Sequence, residues 1–218
     1  MEAEREHPAC LVLLEGGEGE IVEKKSRFIA TIRCVETEEE AQHFIEEMKK
    51  KYWDARHNCS AYVIGMQGEM TRCSDDGEPA QTAGIPMLQV LLNQKIRNVA
   101  VVVTRYFGGV LLGTGGLVRA YTKAVQEGLK SCKTGLKRYG VRLQIRTDYN
   151  SVGRILSILS EEELIQEKAE YTDQVCFQVL VPVEKEKGLR EKLTEATNGK
   201  AVMSEIDRTY FIDKKELL

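Results

Sequence analysis

The 218-residue chain is 42% hydrophobic and carries 31 Lys and Arg against 34 Asp and Glu, a formal net charge of -3. This length and composition suit one large or two modest domains, each with its own core. The balance of charge excludes a global basic field for nucleic acid, so any such contact has to be local.

Apolar runs such as VAVVV fall far short of the roughly 20 residues that cross a bilayer. The opening MEAEREHPA is charged and lacks the apolar region of a secretory leader. The six cysteines, at 10, 34, 59, 73, 132 and 176, form no CxxC pair, so neither a disulfide framework nor a structural zinc site is expected. The expectation is a cytoplasmic protein with no membrane partner, no cofactor and no assigned metal.

Residues 21–35 (IVEKKSRFIATIRCV) read as a strand, with LVLLE before it as a candidate partner in a bent pair. In ETEEEAQHFIEEMKKKYW the period becomes helical. Thr37 and Glu40 form a capping box, Ala41, Phe44, Ile45 and Met48 share a face, and lysines 49 to 51 suit the C-terminal end. CSAYVIG then reads as a strand, with EMTRCS as a short partner before the acidic turn DDGEP. TAGIPMLQVLLNQK reads as a helix with Pro86 near its start, and NVAVVVTRYF as a buried strand. GGLVRAYTKAVQEGLKS is a buried amphipathic helix.

At KTGLKR, residues 133–138, helical spacing gives way to alternation, which places a domain boundary there: 1–137 and 138–218. Beyond it the order is strand 139–147, helix 151–161, strand 164–171, strand 174–183, helix 184–197 and strand 200–211. That βαββαβ order is the ferredoxin-like plan, and the fold class expected overall is α+β.

The segment RYFGGVLLGTGGLVRAY, residues 105–121, sets five glycines within nine positions between a strand and a helix. A helix N-terminus presents orphan N-H groups and about half a positive charge, and glycines let an anion approach them. The spacing matches neither GxxxxGK(S/T) nor GxGxxG, so neither dinucleotide nor P-loop binding is supported. The candidate anion or nucleic-acid site is Arg105, Tyr106, Gly108, Gly109, Gly113, Thr114, Gly115, Gly116 and Arg119. Arg119, a cation near a helix start, calls for a negative partner, either a ligand phosphate or the carboxylates of the acidic turn.

Those carboxylates, Asp75, Asp76 and Glu78, are candidates for Mg²⁺ or acid/base chemistry, or they form a solvated turn. His57 and Cys59 would share a strand face, as a nucleophilic or metal pair needs, or the histidine is a satisfied structural one. Trp53, Tyr106 and Phe107 are aromatics that either stack on bases or belong to the core.

The blocks SRFIA, ARHNCSAY, SDDGEPAQTAGIP, VVVTRYFGG and LGTGGLVRAYTKAV, over about residues 20–130, resemble the YigZ/IMPACT family. The resemblance implies an N-terminal domain similar to the second domain of ribosomal protein S-five, GHMP-kinase-like, with a left-handed βαβ arrangement on a four-stranded sheet. It implies a C-terminal domain similar to domain V of elongation factor G. The RWD domain that eukaryotic IMPACT proteins carry has no counterpart among these residues. His57, Asp75, Asp76, Gly77, Glu78 and the loop residues named above, apart from Thr114, fall on the family's signature blocks.

Three functions follow as expectations. One is a translation-associated regulatory protein that binds RNA, the ribosome or a translation-regulatory protein, with Arg105 and Arg119 on phosphate and the ferredoxin-like domain as a second surface. Another is an enzyme on a phosphorylated or nucleotide-like small molecule, with His57, Asp75, Asp76 or Glu78 as acid or base and the two arginines as a clamp. In the third, loop and acidic turn pair with each other in a protein-docking module.

Overall fold

The computed structural model describes residues 7–217. It divides into two units, one comprising Cys10–Leu136 with the residues after Ile212, the other Lys137–Ile212 with the residues before Cys10.

The first unit contains β1 (Cys10–Glu15), β2 (Gly17–Glu23), β3 (Ser26–Cys34), α1 (Glu38–Lys51), β4 (His57–Ile64), β5 (Met70–Ser74), α2 (Gly84–Asn93), β6 (Ile96–Arg97), β7 (Val99–Tyr106) and α3 (Thr114–Lys130). Its main sheet runs β2-β3-β7-β4-β5, all neighbours antiparallel. Five strands stand where four were expected, because residues 21–35 are not one strand. The chain reverses at Lys24 and Lys25, with Glu23 opposite Ser26. LVLLE lies in β1, which pairs in parallel with β6 instead.

Both faces of this sheet are covered, which explains the unbroken apolar run of β7. On one face Val99, Val101 and Val103 pack with Met87, Val90 and Leu91 of α2 and Leu117, Ala120 and Tyr121 of α3. On the other, Ala100 and Val102 meet Ala41, Phe44 and Met48 of α1. Each fully buried Val, Leu, Phe or Met among them contributes about 1.5 to 3 kcal/mol. Helix α1 starts as its sequence requires: Thr37 Oγ1 accepts from the Glu40 N-H at 3.2 Å, and the Glu40 carboxylate accepts from the Glu36 N-H at 2.7 Å.

β8 (Lys133–Thr147) begins in the first unit and continues in the second. The polar stretch read as a break is therefore strand, since a strand needs only one covered side-chain face. The second unit adds α4 (Val152–Glu161), β9 (Ile165–Tyr171), β10 (Val175–Pro182), α5 (Val183–Ala196) and β11 (Val202–Leu217). Its strand order is β11-β8-β10-β9, with β10 antiparallel to both neighbours, as the ferredoxin-like plan requires. Ile155 and Leu159 of α4 and Leu189 and Leu193 of α5 pack on Val141, Leu143, Ile145, Phe177 and Val179. Among the described residues, no helix is long and apolar enough to cross a membrane.

Candidate functional site

The sheet register brings three positions distant in sequence into one row. Arg105 on β7 lies opposite Phe28 on β3 and opposite His57 on β4. Strand alternation puts Arg105 on the face that carries Val103 and Val101, so it is the last position of the core face and is 6% exposed. A buried guanidinium needs a partner. Arg105 Nη1 donates to Glu78 Oε1 at 2.6 Å, and the same oxygen accepts from the Tyr121 hydroxyl at 2.8 Å. Arg105 Nε is buried with no hydrogen-bond partner. The guanidinium carbon lies 5.3 Å from the Phe28 ring centroid and 5.7 Å from that of Phe107.

Cys59 extends this network. Its one S-H proton goes to the Asp75 carbonyl at 3.0 Å, and its Sγ also lies 3.3 Å from the Tyr121 hydroxyl. Burial pushes its thiol up to about 12, so it is not a nucleophile near neutral pH. Burial also raises Tyr121, with further upward pressure from Cys59 and Glu78. His57 and Cys59 share a face but form no pair. His57 Nδ1 donates to the Asp76 carbonyl at 2.9 Å. A carbonyl oxygen only accepts, so Nδ1 carries a proton, and that bond fixes the orientation of the ring at the cleft.

The carboxylates of the acidic turn are tied into the fold by hydrogen bonds and ion pairs. Asp75 accepts from the N-H groups of Gln81 at 2.8 Å, Ala83 at 2.9 Å and Gly84 at 2.8 Å, which caps α2 where Ala83 has no side chain to do so. Burial pushes the Asp75 carboxyl up, and the three N-H donors outweigh that and hold it below the usual carboxylate range. Asp76, at φ 41°, accepts from the Asn58 N-H at 2.7 Å and pairs with Lys49 at 3.2 Å. Among the described residues, no group of three His, Cys, Asp or Glu is placed to hold a metal ion.

Helix α3 opens beside Glu78 without a side-chain cap. Its N-cap is Gly113, at φ 73° and ψ 167°, a region open only to glycine. Gly108 has a different task, because a Cβ there would overlap the Lys25 carbonyl and Ser26 N. The Gly108 N-H donates to Ser26 Oγ at 3.2 Å, so the loop lies flat on the β2–β3 turn. Gly109 borders open space, a Cβ on Gly115 would lie 3.7 Å from Arg119 Nη1, and a Cβ on Gly116 would meet Leu112 at 2.9 Å. Tyr106 ends β7 and donates its hydroxyl to Asp54 at 2.8 Å.

A cleft of about 410 Å³ lies in front of this helix end. Arg56, His57, Glu78 and Arg105 give it polar walls, Phe107, Leu111 and Leu117 apolar ones, and Gly113 and Thr114 form its helical edge. Phe107 is 48% and Leu111 82% exposed. Arg119 is elsewhere: it lines a separate depression on the other side of Leu112. The two arginines therefore line different hollows, and no ion pair joins Arg119 to the acidic turn among the described residues. Trp53 is 83% exposed and is not core.

Sequence reasoning missed Arg56 at the cleft and Tyr121 in the buried network. Arg56 stands beside His57 in ARHNCSAY, and the spacing of GGLVRAYTKAVQEGLKS marks Tyr121 only as a position on the apolar face of that helix.

Residues 24–129 match the Impact N-terminal domain, and residues 145–200 match a domain of unknown function, DUF1949. The chain is 44% identical over 196 residues to IMPACT family member YvyE of Bacillus subtilis, covering 90% of each protein. It is 35% identical over 178 residues to IMPACT family member YigZ of Escherichia coli, covering 81% of this chain and 87% of that one. A solved chain described as a crystal structure of a hypothetical protein is similar at 32% identity and TM-score 0.56, covering 91% of this chain and 98% of that one.

Proposed function

The chain belongs to the IMPACT family, and from that premise we propose that it is a translation-associated regulatory protein that binds RNA at the cleft before α3. The observation that carries this reading is an uncapped helix N-terminus facing Arg56, His57 and Arg105. Orphan N-H groups and the helix dipole favour a phosphate there. Arg56 is exposed and has no acidic partner among the described residues. Phe107 and Leu111 give the cleft an apolar flank for a base.

The ferredoxin-like unit is less suited to a second phosphate surface. Arg142 is held between Glu167 and Asp207, both at 2.5 Å, Lys168 by Glu170, and Arg208 by Glu186 and Glu205. The division at 137/138 into two functional domains is part of the same proposal.

The test is binding of a fluorescent single-stranded RNA at two salt concentrations, by the wild type and by Arg56→Gln. The reading requires binding that weakens with salt and weakens further in the variant. Absence of binding by the wild type would move the assignment to an enzyme on a phosphorylated small molecule, which the oriented ring of His57 at the cleft wall favours.

A further inference from the structure

The depression that holds Arg119 carries an inference of its own. It measures about 200 Å³, and its floor is Gly116 and Ala120 of α3, small residues one turn apart. Its rim holds three cations, Lys24, Arg119 and Lys123, and one acid, Glu23. All three cations are exposed, and none has an ion-pair or hydrogen-bond partner among the described residues.

Two features set this group apart from an ordinary solvated face. Arg119 and Lys123 are like charges at i,i+4, which is mildly destabilising in a helix, and Arg119 sits near the positive end of the dipole. Its guanidinium turns back toward that end, where a Cβ on Gly115 would lie 3.7 Å from Nη1. Lys24 comes from the other side. It occupies the two-residue β2–β3 turn, where Lys24 and Lys25 have φ of 44° and 67°. Turns with two positive φ values favour Asn and Gly, and lysine gains nothing locally from that conformation. The close approach of Gly108 to Lys25 and Ser26 holds the turn in place. Local strain and like-charge repulsion are thus both maintained at one small hollow.

We propose that this hollow is a second phosphate subsite, holding a phosphodiester of the same single-stranded RNA that enters the cleft before α3. The inference rests on the RNA reading above. The two depressions share Leu112 as a wall, so a strand leaving one enters the other across the first turns of α3. An extended polynucleotide repeats its phosphates, and two anion sites that share the wall of Leu112, one of them beside apolar Phe107 and Leu111, fit that repeat.

The experiment measures affinity for a fluorescent ten-nucleotide RNA across a salt series, for the wild type, Lys24→Gln/Lys123→Gln and Arg56→Gln. The substituted side chains are exposed and unpaired, and thermal unfolding checks that the fold is kept. The plot of log affinity against log salt should become shallower by about 0.7 for each phosphate that is no longer neutralised, in both variants. An unchanged slope and affinity in the lysine variant, with weakening in Arg56→Gln, overturns the subsite and leaves the cleft reading standing. Weakening in the lysine variant alone supports the subsite and overturns the cleft as the main locus. No RNA binding by the wild type overturns both.

Discussion

Arg105 and Glu78 form a buried ion pair, Nη1 to Oε1 at 2.6 Å, with side chains 7% and 3% exposed. Removing one partner leaves the other charged in the core, so Arg105→Ala should lose about 3 to 5 kcal/mol of stability. Replacing both, as in Arg105→Met/Glu78→Leu, should recover most of that loss. Urea denaturation of the single and double variants checks this, and equal losses in both would contradict it.

Asp75 ties its pH behaviour to the start of α2. Its folded carboxyl titrates below the unfolded value of about 3.9, so its contribution is present above that pH and disappears as pH falls through the folded value. Asp75→Asn should therefore be less stable than wild type at pH 7, by about 1.5 to 3 kcal/mol for hydrogen bonds to a charged acceptor. The difference should shrink steadily below pH 4. A gap independent of pH in paired denaturation curves would refute the assignment.

Serine is among the best N-cap residues, yet Gly113→Ser should destabilise α3. The φ of 73° with ψ of 167° costs a side-chain residue on the order of 1 to 3 kcal/mol. Gly108→Ala should cost a similar amount by overpacking, about 1 to 3 kcal/mol, through the β2–β3 turn it would push away. Thermal melts of the two variants, with Gly153→Ala at an open helical position as reference, measure both effects.

The cysteines should separate by reactivity. Burial lifts Cys59 to about 12 and Cys132 to about 11, whereas Cys34 and Cys73 are exposed. Iodoacetamide at pH 8 should label Cys34 and Cys73 in the native protein, and Cys59 and Cys132 only after denaturation. Peptide mass spectrometry reads the order, and early labelling of Cys59 would mean that its network opens readily.

Much of the fold was legible because its signals are local. Thr37 and Glu40 announce a cap three residues apart, and the valines of β7 announce a strand covered on both faces. The turn at Lys24 and Lys25 was not legible, since two lysines carry no turn signal of their own and its packing partner, Gly108, lies more than eighty residues on. The glycine loop stood out by composition, and a helix N-terminus follows it. The separation of Arg105 from Arg119 could not be read, because it depends on which side of Leu112 each side chain leaves. Nor could the consumption of Glu78 by Arg105 and Tyr121, a meeting set by strand register and helix packing.

The position of β7 between β3 and β4 also dictates how the chain acquires its shape. β7 pairs Thr104 with Ile29 on one side and Val103 with Cys59 on the other, although both neighbours are made before it. During synthesis β3 and β4 emerge with no strand between them, and each offers open backbone edges until the central strand leaves the ribosome. Such long-range pairing is slow, and the waiting strands are a target for misassociation or for a chaperone. Pulse-labelled nascent chains stopped before residue 99 should therefore be protease-sensitive, and chains extended well past α3 resistant.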